Sequence, residues 1–221
     1  MKLRIYQLNK ERAGSAPVWI DKGRDKPVTN TSLYDEVFRG EGNWNDLSEA
    51  VRQFQEQGHP LFRGRSIQPT DVFVTEQGCF FLGWEGFIEV AFDPSQTQKP
   101  GHLLRCVYVE PNCPAYEADV GENLMSMQKA VGGLIECIYC HRDGTLIVAN
   151  DEAKLLGMEG NRRLDGGSVI AGPFFVIGDA GENFRSLTDA EVNRYLQMYA
   201  EPQQISQREV RADMGMTFYC F

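Results

Sequence analysis

The stretch DVFVTEQGCFFLGWEGFIEV, residues 71 to 90, holds three short β-rich runs broken at Gln77-Gly78 and Glu85-Gly86. Runs this short, punctuated by glycine, read as an antiparallel meander and set the class of fold open to the chain. Upstream, LRIYQLN (3 to 9) alternates like a half-buried strand, and SLYDEVFRG (32 to 40) reads as a second extended segment ending at glycine. A helix stands between them and the meander. Asp46 can cap it with Glu49 as the other half of a capping box, Leu47, Val51 and Phe54 form its apolar stripe, and Gly58 then Pro60 stop it.

DPSQTQKPGH (93 to 102) has the polar, proline-bearing composition of a linker. It divides the chain into a domain over 1–95, a linker over 96–102, a second domain over 103–202 and a tail over 203–221. In the second domain HLLRCVYVE (102 to 110) is a strand, and ENLMSMQKAV (122 to 131) is a helix ended by Gly132-Gly133. SVIAGPFFVIG (168 to 178) is further strand. The closing helix starts at Thr188 with Glu191 completing a capping box, and Leu187 is placed to staple against Val192. The expected fold class is therefore α+β: two small mixed domains, each a mainly antiparallel sheet with one or two packed helices. In the tail, QQISQREVRAD (203 to 213) reads as polar and mobile, whereas MGMTFYCF (214 to 221) is apolar enough to dock on its own domain or on another chain.

Composition narrows the setting. With 42% hydrophobic and 11% aromatic residues, 221 residues suffice for packed cores without staples. No apolar run approaches the ~20 residues that span a bilayer, and the first twenty residues hold no signal-like apolar stretch. The expectation is a cytoplasmic protein with no membrane partner, its six cysteines (79, 106, 113, 137, 140 and 220) being free thiols. A net charge of -9 disfavours a nucleic-acid backbone as principal partner.

CIYCH (137 to 141) has the spacing of a c-type haem attachment or a redox dithiol. Its context is a hairpin, LIECIYCHRDGTLIVAN, with Asp143-Gly144 suited to a two-residue type I′ turn. That turn would set Arg142 opposite Thr145, Cys140 opposite Ile147 and Cys137 near Asn150. Cysteines three apart in a strand face opposite sides with Cα atoms about 10 Å apart. A disulfide needs about 7 Å or less. No metal, haem or other cofactor is therefore expected, and His141 reads as a solvated hairpin residue.

Nucleophile elbows, Walker loops, dinucleotide fingerprints and zincin motifs are missing, so no catalytic residue is assigned. Two polar clusters are candidate binding sites. FRGRSIQPTD places Arg63 and Arg65 around a glycine with Asp71 beyond a proline turn, where paired guanidiniums could grip an anion or tie the turn to the protein's own carboxylates. GNRRLDGG offers Asn161, Arg162 and Arg163 in what reads as a loop, binding a ligand or scaffolding the surface. Cys113 in EPNCPAY lies on a proline-rich loop with no partner assigned to activate it.

FRGRSIQPTDVFVTEQGCFFLGWEGFIEV (62 to 90) resembles the core of the YodL-like domain, where an RGxS turn leads into a strand and a hairpin ending in a glycine-phenylalanine pair. From 103 to 200 the succession VEP, VGGLIE, NDEAKLLGMEGNRRL, IAGPFFVIG and SLTDAE is similar to a second domain family of unknown function. Both families look like accessory modules of phages, plasmids and conjugative elements. The resemblance implies a mobile-element protein without assigned catalysis, with Arg63, Arg65, Asp71, Asn161 and Arg162 as motif positions of unknown role.

The sequence thus points to a non-enzymatic interaction module of a mobile element, in host interaction or an antirestriction-type role. Its partner would be a host or element-encoded protein, with a homo-oligomer through the C-terminal tail as a further option. The alternative is a binder of, or enzyme on, a small anionic ligand or nucleotide at the Arg63/Arg65 or Asn161/Arg162 loops.

Overall fold

A computed structural model of the chain describes residues 1–13, 30–98, 102–139 and 143–214. It forms two compact units, Met1–Gly101 and His102–Phe221. Both are α+β and their sheets are mostly antiparallel, as the sequence predicts.

In the first unit β1 (Lys2–Leu8) is followed by a short helix α1 (Lys10–Ala13), then β2 (Tyr34–Glu41), α2 (Leu47–Glu56), β3 (Val72–Thr75), β4 (Gly78–Leu82) and β5 (Phe87–Glu89). The described strands make one sheet in the order β2-β1-β3-β4-β5. The register of β1 on β2 shifts between Ile5 and Tyr6, so both of these consecutive residues are buried instead of alternating. Tyr6, Tyr34, Val72, Phe81, Val90 and Phe92 pack as one cluster. Against Phe38 of β2 sits Phe54 of α2, their ring centroids 4.8 Å apart, and His59 stacks on Phe54 at 5.6 Å. The His59 ring stays in this aromatic setting by accepting the Leu61 N–H at Nδ1.

Asp46 caps α2 as expected, accepting from Glu49 N at 2.8 Å. The Glu49 carboxylate reaches back to the backbone and side-chain nitrogens of Asn45, one residue before the cap. The stretch from 93 differs from a linker: Asp93 caps a 3-10 turn over Pro94–Gln96, and Gln98 exchanges backbone hydrogen bonds with Tyr34 and Glu36 of β2. Proline-rich polarity here marks a capped turn laid along a sheet edge.

The second unit runs β6 (Leu103–Val109), β7 (Tyr116–Gly121), α3 (Leu124–Val131), β8 (Ile135–Ile138), β9 (Thr145–Asn150), β10 (Gly160–Arg163), β11 (Val169–Ala171), β12 (Phe174–Asp179), β13 (Phe184–Arg185), α4 (Asp189–Met198) and α5 (Gln207–Asp213). Its main sheet has the order β7-β6-β12-β9-β8, with β13 added on β12, and β10 pairs β11 separately. Val192, Tyr195 and Tyr199 pack with Val107, Val109, Ile147, Phe174 and Val176 of the sheet. Met127, Ala130 and Val131 are the buried residues of α3, which contacts β7 and β9. Gly132 at φ 78 ends α3 in the left-handed conformation that the double glycine predicts. Thr188 and Glu191 form the reciprocal capping box of α4.

Four further features depart from the sequence reading. β7 is a strand in a stretch to which the sequence reading assigns no element. The segment 160–163, read as a loop, is strand β10, and Asn161 and Arg162 are buried in it. The polar segment read as mobile contains α5, capped by Ser206, whose Val210 is fully buried against Ala153, Val169 and Ala171. The hairpin 134–150 is paired two residues out of the expected register: Cys137 lies opposite Val148, and Ile138 opposite Ile147. At the start of β9, Asp143 Oδ1 accepts from Thr145 N and Thr145 Oγ1. Cys140, His141, Cys220 and residues 215–221 lie outside the described residues, and so do the CIYCH pairing and the tail contact.

Candidate functional site

Arg65 and Asp71 come together at the entrance to β3, and Arg63 does not join them. Asp71 is fully buried, and its carboxylate accepts from Arg65 Nη2 at 2.6 Å, Arg65 Nη1 at 3.2 Å, Gln7 Nε2 at 2.9 Å and Gln68 N at 3.1 Å. Burial pushes the Asp71 carboxyl upward, opposed by the Arg65 hydrogen bonds. Gln7, which no sequence motif singled out, closes the cluster by also donating to Arg65 O and accepting from Arg65 N. Gly64 lets it approach, since a Cβ there would lie 2.4 Å from Gln7 Oε1. Arg63 points elsewhere, its backbone N–H to Val37 O and its Nη1 to Leu61 O. The Arg65 guanidinium is thus turned toward an internal carboxylate, in a bidentate pair that positions the turn.

Asn161 and Arg162 form a second internal hub. Asn161 Nδ2 donates to the carbonyls of Val109 and Gly172 at 2.9 and 2.8 Å. Arg162 is 1% exposed and gives Nη1 to Asn161 O and Oδ1, and Nη2 to the carbonyls of Cys113 and Tyr199. Burial lowers its pKa from the usual arginine value. A guanidinium held by carbonyl dipoles joins β10, the 110–115 loop and the end of α4. Arg163 faces outward and pairs with Glu209 of α5.

A third network, missed in the sequence, centres on Asp143. Tyr195 OH donates to Asp143 Oδ2 at 2.7 Å, Arg194 forms an ion pair with the same carboxylate, and Thr145 Oγ1 meets Tyr195 OH at 2.5 Å. Burial works to raise the Asp143 carboxyl, and these bonds together outweigh it and hold the group below its ordinary range. Burial pushes the Tyr195 phenol up to about 12. Beside it Arg185 grips Glu191 through both terminal nitrogens, at 2.9 and 2.8 Å. The network fastens the start of β9 to α4.

Each of these three hubs finds its hydrogen-bond partners within its own unit; the open surface lies elsewhere. A cleft of about 350 Å³ runs between β8 and the β10–β11 hairpin. Ile138, Ala149, Leu164 and Ile170 supply its apolar walls, and Glu136, Asp151, Lys154 and Ser168 its polar ones. Three of its lining residues are held from behind by Asp213, which accepts from Lys154 Nζ at 2.6 Å, Ser168 Oγ at 3.0 Å and Val169 N at 2.9 Å. Leu134 (53% exposed), Tyr139 (67%), Leu155 (66%) and Leu156 (60%) lie at the ends of β8 and in the turn after β9. Among the described residues β8 pairs only with β9, so its outer edge carries unpaired backbone groups. Sequence reasoning did not find this cleft, because its walls come from two separate hairpins and each contributes only a few of the apolar positions.

Among the described residues no group of three or more His, Cys, Asp or Glu side chains could hold a metal ion. No helix among them is long and apolar enough to cross a membrane.

The fold defines a protein of two α+β units on mostly antiparallel sheets. Residues 104–200, from β6 through α4, match the family described as Domain of unknown function (DUF3846). No curated protein and no solved structure matches the chain.

Proposed function

We propose that the chain is a non-catalytic protein-interaction module, and that its second unit docks a partner at the β8 edge and the adjoining cleft. The observation that carries this is the exposed apolar set Leu134, Tyr139, Leu155 and Leu156 beside an open strand edge. A long apolar rim next to unpaired backbone is costly in isolation and suits an added strand. Arg65 and Arg162, the strongest candidates for an anion site, spend their donors on internal acceptors, which favours the interaction role over a small anionic ligand. The likeness of residues 62–90 to the YodL-like domain supports placing the protein among mobile-element accessory proteins, with a host or element-encoded protein as partner.

The test is selection of a random peptide display library on the full chain. Peptides should be enriched that lose binding to the Leu134→Asp/Tyr139→Asp variant, both substitutions being on exposed side chains. Failure to enrich any peptide, or binding indifferent to the two substitutions, would remove the β8 surface from the proposal.

A further inference from the structure

The cleft also carries a charge pattern. Glu136 lies on β8 and Asp151 just beyond β9, both on the cleft wall, and neither carboxylate has a hydrogen bond or ion pair among the described residues. Among the described residues Lys154 is the one basic side chain on that wall, and Asp213 holds it at 2.6 Å. Burial and then Asp151 push the Glu136 carboxyl above its ordinary value, only partly offset by Lys154. Two acids at the mouth of an apolar cleft, with the local cation already engaged, leave an uncompensated negative field.

Strand geometry converts this into a recognition pattern. Glu136 pairs with Ala149 and Ile138 with Ile147, and Glu136, Ile138 and Ala149 all line the cleft. A strand added to the outer edge of β8 sets the residue opposite Glu136, and the residue opposite Ile138, on that same face. These two positions are separated by one residue in the incoming chain. The first meets a carboxylate and the second an isoleucine.

We infer that the β8 cleft takes an extended segment of a partner protein in which a lysine or arginine and a bulky apolar residue are separated by one residue, the basic side chain reaching Glu136 and Asp151. The inference rests on the proposed docking role and names the chemistry of the partner. The intervening side chain stands on the face of Cys137.

The experiment uses the full chain and arrays of eight-residue peptides of alternating pattern, with Lys, Arg, Gln or Glu at one cleft-facing position and Leu or Ala two positions away. Peptides with a base and a leucine should bind best, and the Glu136→Lys/Asp151→Lys variant should bind them about tenfold more weakly while gaining affinity for the Glu-bearing series. Equal binding of all four charge types by the original chain, or no change of preference in the charge-reversed variant, would overturn the inference and leave the docking role standing. Preference for the uncharged peptide MGMTFYCF over the basic ones would overturn it in favour of the chain's own C-terminal segment. Self-association lost on charge reversal would do so in favour of a second copy. Absence of binding to any peptide, together with failure of library selection, would bring down the docking role itself.

Discussion

Arg162 Nη2 lies 2.9 Å from the carbonyl oxygen of Tyr199 and 2.7 Å from that of Cys113, so one guanidinium bridges positions 37 and 49 residues away from it in the chain. Replacing it with methionine removes the guanidinium donor from both carbonyls, leaving Tyr199 O with Ala115 N as its remaining donor. Urea unfolding of Arg162→Met should show a loss of about 2–4 kcal/mol. Arg162→Lys should recover less than half, because a point donor cannot serve acceptors on three segments. A methionine variant as stable as the parent would show that the hub contributes nothing.

The Arg65–Asp71 pair should behave as a coupled unit. Asp71→Leu strands a charged guanidinium and the Gln7 amide, costing about 3–5 kcal/mol. Adding Arg65→Met should restore at least ~1 kcal/mol of that loss, measured as the interaction energy of a double-mutant cycle. Strict additivity of the two substitutions would count against the pairing.

Acid sensitivity should run through Glu191. Arg185 and the Thr188 cap hold its carboxyl at about 2, below the ordinary 4.5. A depressed folded value means that the stabilisation is complete above about pH 4.5 and is lost as the pH falls toward 2. Glu191→Gln should therefore be less stable than the parent at neutral pH and approach it near pH 2, as followed by unfolding midpoints across the acid range. A constant difference from pH 7 to pH 2 would assign the stabilisation to something other than this charge.

Val210 is the buried anchor of α5. Val210→Asp should detach that helix without unfolding the sheet. Hydrogen exchange at 207–213 should accelerate by more than about tenfold while exchange in β6 and β12 stays slow. Exchange unchanged at 207–213 would mean that Arg163–Glu209 and Asp213 hold the helix without Val210.

Cys137 is exposed, yet burial of its sulfur environment, Asp179 and Glu136 raise its thiol above the ordinary 9.0. Peptide-resolved alkylation at pH 7.5 should be slower at Cys137 in the folded chain than in urea, because the thiolate is the nucleophile. Glu136→Gln should speed it. Faster alkylation in the folded chain would indicate an activated thiol and reopen the chemistry of CIYCH.

The features legible in the sequence were local. Asp46, Gly132 and the Thr188–Glu191 box act within one helical turn, so their residue types suffice to place the ends of α2, α3 and α4. The misses depend on partners far along the chain. Asp143-Gly144 has the composition of a tight hairpin, but the observed register of β8 on β9 differs by two residues, and the Asp143 side chain is engaged by Tyr195 and Arg194. GNRR looks solvated until Cys113 and Tyr199 supply its acceptors. Two signals were nevertheless present: Tyr116, Ala118 and Val120 alternate through β7, and Ser206 with Glu209 has the spacing of a helix cap. The charged arginine loops drew attention because they are rich in polar residues, whereas the open cleft is assembled from ordinary aliphatic positions that only tertiary structure juxtaposes.

The segment matching the family ends at residue 200, just after Tyr199 and before Ser206, the cap of α5. Both ends of the Arg162 bridge fall inside it, while Val210 and Asp213 fall outside. Within the matching segment one side chain thus gathers acceptors from near its start, its middle and its end, so that the three are tied at a single atom group. The short helix beyond that boundary seats on the same segment through Val210 and Asp213.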